Sequence, residues 1–300
     1  MSDPPTLSLG ALGIGTRFDR QSAVEARQAA REIEALGFGA LWLPEALGRE
    51  ALSQAALLLG ATERMIVAAG IANIYARDAF AAAAGQKTLA EAYPGRFLLG
   101  LGVSHAPLVE QLRGHRYEKP LAAMRAYLDA MDRAPYNAVA PAVKPARLLA
   151  ALGPKMLELA GERSSGALTY FATPEHTARA RKILGADRLL AVEQDVVLER
   201  DPRKAREIAR AHMAFYLQLP SYLNNLRALG FGDGDFAGGG SDRLVDAIVA
   251  WGGVDAAAAR VHEHRAAGAD HVCLQVLTAE PELAPRREWR ALAAALLGRN

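Results

Sequence analysis

The residues able to do chemistry stand at the ends of short apolar runs or, in one case, within the run. They are Glu45, Asn73 with Tyr75, Ser104 with His105, Gly153, Tyr170 with Thr173, and Glu193-Gln194-Asp195. Few of these side chains ionise near neutrality, which favours binding and orienting a ligand over hydrolysis. Leu152-Gly153-Pro154-Lys155 leads an apolar run into a helix start. Free backbone N–H groups and the positive end of the helix dipole favour an anion there, and glycine lets a phosphate come close. Lys155 could add charge, although an ordinary tight turn has the same sequence. Gly100-Leu-Gly-Val-Ser-His comes nearest to a dinucleotide GxGxxG, but His105 stands where the third glycine belongs. No GxxxxGKS/T, HExxH or GxSxG motif occurs. His262 and His264 are two apart on a helical stretch, hence on different faces, which predicts solvated histidines and no metal pair. His176, just after Pro174, reads as a local structural residue.

The elements that position these residues alternate between strand and helix. Strands are expected at Leu7–Ile14, Ala40–Leu43, Met65–Ile71, Phe97–Leu101, Leu148–Leu152, Ala167–Phe171, Leu189–Val197 and His271–Leu277. Between them lie helical segments at Ala51–Gly60, Ala79–Ala92, Pro120–Arg133, Asp255–Ala267 and Trp289–Leu297. Ser22 with Glu25 forms a capping box, and Gly37 stands where that helix should end. Pro154, Pro174 and Pro202 occupy first helical positions, two of them behind Thr173 and Asp201 as caps. Eight such units in 300 residues predict a single (β/α)8 TIM barrel of the α/β class spanning 1–300. A doubly wound sheet is the structural alternative. An insertion between strands seven and eight carries a helix at Leu244–Trp251 and a loop, Gly230–Gly240, with six glycines.

Composition sets the boundaries. The chain is 51% hydrophobic and 23% charged, so it can bury one sizeable core. Roughly a fifth of the residues are alanine, which suits a helix-rich shell. Lys plus Arg (35) nearly balances Asp plus Glu (33), which gives no electrostatic case for nucleic acid. The lone cysteine, Cys273, excludes a disulfide framework and a CxxC metal site, and its neighbours place it in a buried strand. Neither a signal peptide nor an 18-residue apolar span is visible, so a cytoplasmic protein without a membrane segment is expected.

Longer stretches resemble a known family. Ala68–Arg77 (AAGIANIYAR) and Thr88–His105 (TLAEAYPGRFLLGLGVSH) resemble the bacterial luciferase-like superfamily, most closely its branch of oxidoreductases using the deazaflavin coenzyme F420. Arg113–Lys119, Gly166–Thr177, Ser241–Gly252 and Ala266–Gln275 continue the likeness in order along the chain. The resemblance implies a luciferase-like barrel with the deazaflavin ring at its C-terminal mouth, buttressed by a non-proline cis bulge within Ala69–Asn73. It implies cofactor contacts at Ile71, Ala72, Asn73 and Tyr170, with the phosphate tail over Gly102, Val103, Ser104, Ala151, Leu152 and Gly153.

Glu45 and His105 are the candidate catalytic residues, with Tyr222, Asn224 and Asn225 on the substrate side. Several deazaflavin dehydrogenases carry an Asp-His pair after strand two. Here Glu45 takes the acidic place and Ala46 the histidine's, which disfavours chemistry through that histidine. Glu45 could hold the ring, shuttle a proton, or be a capping or salt-bridged acid. The expected activity is hydride transfer between F420 and a small organic substrate, without metal. The alternatives are an FMN-dependent monooxygenase and a non-catalytic flavin-binding barrel. By analogy with the family, a homodimer through helices near strands two and three is expected.

Overall fold

The computed structural model describes residues 9–298. The N-terminal residues read for a leader, and Leu7 and Ser8 of the first expected strand, lie outside the described residues.

Eight parallel strands close into a barrel. β1 (Leu12–Gly15) pairs with β2 (Ala40–Leu43), β2 with β3 (Ile66–Asn73), and β3 with β4 (Phe97–Gly102). β4 pairs with β5 (Ala146–Ala150), β5 with β6 (Gly166–Tyr170), and β6 with β7 (Leu189–Val197). A two-residue strand, β8 (Ala250–Trp251), pairs with the end of β7. β9 (His271–Val276) lies between β7 and β1 and closes the ring. Strands buried on both faces need continuous apolar runs, and Ala-Leu-Trp-Leu of β2 is buried throughout.

The outer ring comprises α1 (Ala23–Ala35), α2 (Ala51–Leu59), α3 (Ala79–Ala92), the short α4 (Ala106–Glu110), α5 (Pro120–Arg133), α6 (Pro154–Arg163) and α7 (Pro174–Leu184). α8 (Pro202–Tyr216) follows β7. The insertion then adds α9 (Pro220–Ala228), α10 (Asp233–Phe236) and α11 (Asp242–Ile248), before α12 (Val254–Ala266) and α13 (Arg286–Leu296). The expected caps are present. Ser22 and Glu25 bond reciprocally, and Thr173 and Asp201 accept from the first turns of α7 and α8.

Three apolar clusters follow from the alternation along each strand. One fills the lumen with Trp42, Ala68, Leu98, Leu148, Leu168, Ala191 and Cys273. The largest lies between strands and helices. A third packs the insertion onto Phe171 and Val197 beside the mouth. Because side chains alternate, Glu193 and Asp195 share the lumen face with Ala191. β3 and β4 slip register between Ala69 and Ala72, and the Gly70–Ile71 peptide there is cis, inside the span expected to bulge.

Two expectations are corrected. The helix read at Leu244–Trp251 ends at Ile248; Val249 is extended, and Ala250 and Trp251 join β7 as β8. β6 stops at Tyr170, opposite Glu193, so the top of β7 has an open edge at Val196 and Val197 that those residues fill. The glycine-rich stretch 230–240 is not wholly loop. It holds α10 and a 3-10 turn (Ala237–Gly239), tied by Asp235 to Gly232 N–H and the Ser241 hydroxyl.

Candidate active site

The C-terminal ends of β2, β3 and β4 border a cavity of about 240 Å³ lined by Glu45, Asn73, Ser104, Leu108 and Arg113, among others. Glu45 is fully engaged there. One carboxylate oxygen accepts the Asn73 N–H at 2.8 Å; the other accepts the Ala51 N–H at 3.1 Å and an ion-pair contact from Arg77. Arg77 also pairs with Glu50 at 2.7 Å. The Glu45 backbone N–H donates to the carbonyl of Ile71 at 3.3 Å, so this acid clamps the bulged end of β3. The Ala72 methyl packs into the outer core, away from the cavity, and Val103 also packs there. Gly102 leaves room for the Ile71 side chain, since a Cβ at Gly102 would stand 2.5 Å from Ile71 Cδ1. Ser104 has a left-handed backbone (φ 57), a conformation that non-glycine residues adopt mostly where surrounding structure enforces it. Its carbonyl accepts the Tyr117 hydroxyl at 3.1 Å. His105 precedes α4, and its ring lies 5.5 Å from that of Tyr222, so β4 and the insertion meet above the mouth. Burial holds its imidazole below the usual histidine range.

At the end of β5, the Ala151 N–H donates to Leu168, and the carbonyl of Leu152 accepts His176 Nε2 at 2.9 Å. His176 is therefore the local structural residue expected, and it fixes the turn that precedes Gly153. Gly153 caps α6 with no side chain, and a Cβ built on it would meet nothing within 4 Å.

Across the mouth lies a second polar group. The Tyr170 hydroxyl stands 3.3 Å from both oxygens of Asp195 and 2.5 Å from His212 Nε2. Gln275 Nε2 approaches the same histidine nitrogen at 3.4 Å. Tyr216 and Tyr222 wall this group, with ring centroids 5.1 and 6.2 Å from that of Tyr170. Glu193 lies deeper, against β1: a Cβ on Gly15 would stand 2.8 Å from its Oε1 and 2.9 Å from Cys273 Sγ. Burial pushes the Glu193 carboxyl up to about 7, with the Arg17 guanidinium opposing. Burial and the charge of Glu193 raise Asp195 well above the carboxylate range. Burial, and secondarily Arg17, pushes His212 down to about 4. Burial thus disfavours the charged form of each of Tyr170, Asp195 and His212. The Cys273 thiol, fully buried and raised well above its usual value, is the core residue expected.

The luciferase-like monooxygenase family model matches residues 7–271. The chain belongs to that family. A Mycobacterium tuberculosis protein provisionally named a coenzyme F420-dependent oxidoreductase is 30% identical over 171 residues, which are 47% of this chain and 49% of that protein. The 5,10-methylenetetrahydromethanopterin reductase of Methanolobus tindarius is 29% identical over 213 residues, 62% of this chain and 65% of the reductase. The chain thus matches about half to two thirds of the length of these relatives. Among solved structures, an F420-dependent secondary alcohol dehydrogenase superposes with a TM-score of 0.77 at 14% identity, covering 98% of this chain and all of that one. The F420-dependent tetrahydromethanopterin reductase of Methanopyrus kandleri gives 0.72 at 18% identity, covering 96% and 98% of the two chains. At these identities the likeness establishes the luciferase-like barrel.

Within this luciferase-like barrel, the sequence-based candidates form two sets besides Ala151–Gly153 at the end of β5. Glu45, Ile71, Asn73, Gly102 and Ser104 converge at β2–β4, and Tyr170 joins Asp195 on the opposite side. Tyr222 reaches the mouth; Asn224 is exposed, and Asn225 is half-buried with an unpartnered Nδ2. His212, Arg17 and Gln275 escaped sequence reading. His212 shares the inward side of α8 with Ala209, Met213 and Tyr216, so a polar residue beside an apolar stripe was the available signal. His264 is a correction. It was expected in solvent but is completely buried, bonding Thr177 at 2.8 Å through Nδ1 and Gln194 at 2.8 Å through Nε2. His262 is exposed as expected. Among the described residues, no group of three His, Cys, Asp or Glu side chains could hold a metal ion, and no helix is long and apolar enough to cross a membrane.

Proposed function

We propose that this luciferase-like barrel is an oxidoreductase that binds the deazaflavin coenzyme F420 at its mouth and moves a hydride between it and a small organic substrate. The observation that carries this reading is the family match together with two sequence relatives named for F420 or methanopterin reduction. The residues present fit such a group. Gly153 opens space over the first turn of α6, whose free N–H groups suit a phosphate. Ala151 and Leu152 carry the chain into that turn, and Gly102, Val103 and Ser104 lie alongside.

Ile71 and Asn73 would border the ring, with Ala72 contributing backbone only. Glu45 would act as a positioning residue, holding Asn73 and the bulge through its two backbone acceptor bonds. His105 and Tyr170 would face ring or substrate. When bound, the deazaflavin supplies a ring carbon that accepts or releases hydride; the protein's task is to orient the substrate against one face. The chain is further proposed to act in the cytoplasm as a homodimer through α2 and α3, where Phe80 is an exposed apolar side chain. Light scattering that gives a monomer mass would remove the dimer.

The test of activity follows F420 absorbance and dissolved oxygen together. Substrate-dependent oxidation of reduced F420 without oxygen uptake is expected. Oxygen uptake with reduced FMN, and none of the F420 reaction, would instead support a flavin monooxygenase. Tight cofactor binding with no turnover on any substrate would support a non-catalytic barrel.

A further inference from the structure

We propose that the cavity at the ends of β2, β3 and β4 holds a small organic acid with an apolar body, its acid group on Arg113 and its body on Leu47, Leu108 and Leu112. That this acid is the substrate rests on the hydride-transfer reading above.

The lining is rich in hydrogen-bond donors and poor in free acceptors. Asn73 is only 4% exposed, and its Oδ1 accepts the Tyr75 N–H at 2.9 Å, which fixes the orientation of the amide. Its Nδ2 therefore carries two N–H groups with no partner among the described residues. The Ser104 hydroxyl also lacks a partner among them; the Tyr117 hydroxyl bonds the Ser104 backbone carbonyl instead. Buried donors left unmatched are costly, so an amide at a cavity wall calls for an acceptor from the cavity's occupant. Glu45, the acid of this lining, cannot supply it, since both its oxygens already accept from Ala51, Asn73 and Arg77.

Arg113 adds the charge. It lines the cavity half-buried, and among the described residues its guanidinium has neither a hydrogen bond nor an ion pair. Acids on nearby segments are engaged elsewhere. Glu110 accepts the Tyr117 N–H at 3.2 Å, and Asp19, which a Cβ on Gly48 would strike, accepts the Arg49 N–H at 3.1 Å. The turn that carries Arg113 is held on both sides. The Gly114 N–H donates to the Glu110 carbonyl at 3.2 Å and the His115 N–H to the Val109 carbonyl at 3.1 Å. Tyr75, just beyond β3, packs its ring 5.9 Å from that of His115 and 6.2 Å from that of Tyr117. Arg113 thus comes to the cavity from a backbone tied to the ends of β3 and β4, and its planar fork of donors suits a carboxylate.

The rest of the lining selects the body of the ligand. Leu47 and Leu112 lie on different loops and are 75% and 60% exposed, yet they border the same cavity together with Leu108. Apolar side chains left in water beside a cation and uncharged donors match an amphiphilic ligand. A cavity of about 240 Å³ is smaller than the roughly 300–1,000 Å³ of sites for drug-sized molecules, which limits the acid to a small one. The leucines do not suit the anionic tail of the cofactor, for which the open turn at Gly153 before α6 is available.

Calorimetry with hexanoate and its uncharged counterpart hexanamide, on protein with and without F420, tests the site. Hexanoate should bind F420-loaded protein at least about tenfold more tightly than hexanamide. Arg113→Gln should abolish that preference while F420 affinity stays at the wild-type value, and Arg113→Lys should recover part of it. Leu112→Asn should weaken both probes alike, by about threefold. Equal affinity of the two probes for the wild type, or undiminished hexanoate affinity in Arg113→Gln, overturns the acid site. Unchanged affinity of both probes in Leu112→Asn overturns the placement of the apolar body. Hexanoate that F420 displaces overturns the substrate role and makes the cavity part of the cofactor site. So does Arg113→Gln that binds F420 more weakly but binds the deazaflavin without its phosphate and glutamate tail as wild type does. Arg113-dependent hexanoate binding by a protein that binds no F420 upholds the acid site and overturns the cofactor reading alone.

Discussion

The Tyr170 hydroxyl stands 2.5 Å from His212 Nε2 and 3.3 Å from both carboxyl oxygens of Asp195. It therefore ties the sixth and seventh barrel strands to α8, the helix that leads into the insertion. Tyr170 has one proton to give, and Asp195 and His212 compete for it. With all three side chains largely withdrawn from water, losing these contacts leaves polar atoms unmatched. Tyr170→Phe should lower unfolding free energy by about 1–3 kcal/mol in a urea titration. An unchanged midpoint would mean that the hydroxyl does not join α8 to the barrel.

Glu193 gives stability a pH dependence with a definite sign. Its folded-state value, about 7, lies above the ordinary 4.5, so the native state holds the proton more tightly than the unfolded chain. The associated stability is present in full below about 4.5 and is lost as pH rises through 7. Glu193→Gln cannot ionise. Relative to wild type, it should gain on the order of 3 kcal/mol between about pH 4.5 and pH 8. Thermal melts of both proteins across that range check this; parallel curves would contradict it.

Arg77 and Glu45 form a largely buried pair, with side-chain exposures of 10% and 4%. Removing the guanidinium strands a carboxylate that already serves two backbone donors. Arg77→Leu should cost about 3 kcal/mol in chemical unfolding and loosen the bulged end of β3. The double substitution with Glu45→Leu should recover part of that loss. A double variant less stable than Arg77→Leu would show that Glu45 matters chiefly through its bonds to Asn73 and Ala51.

Two glycines at the mouth should respond oppositely to alanine. At Gly100 a Cβ would stand 2.2 Å from the carbonyl oxygen of Ala69, a backbone atom that cannot swing aside. Gly100→Ala should cost about 3 kcal/mol. At Gly153 the same methyl meets nothing, and the backbone (φ −81, ψ 156) is ordinary. Gly153→Ala should cost less than about 1 kcal/mol yet weaken F420 binding, because the methyl would occupy the approach to the helix N-terminus. Calorimetry on both variants, with and without F420, separates the effects. Equal affinity for Gly153→Ala and wild type would remove that turn from the cofactor site.

The scaffold was legible because strands buried on both faces and capped helices are written locally. Ala40–Leu43, Leu189–Val197 and Pro120–Arg133 have the same limits in sequence and structure. What escaped depended on distant partners. The helix read through Trp251 breaks because an open edge on β7, some 50 residues earlier, accepts Ala250 and Trp251. His264 is buried because Thr177 and Gln194, 87 and 70 residues away, satisfy both ring nitrogens. The acidic pair on β7 was visible as residues within a strand. Its neighbours His212 and Arg17 were not, since only barrel closure brings β1 and α8 to the same side of the mouth.

The most direct test of the central claim is equilibrium titration of the cofactor-free protein with F420 and, separately, with FMN. F420 should bind at least about tenfold more tightly, a difference of about 1.4 kcal/mol. Tighter binding of FMN, accompanied by oxygen consumption once that flavin is reduced, would contradict the account.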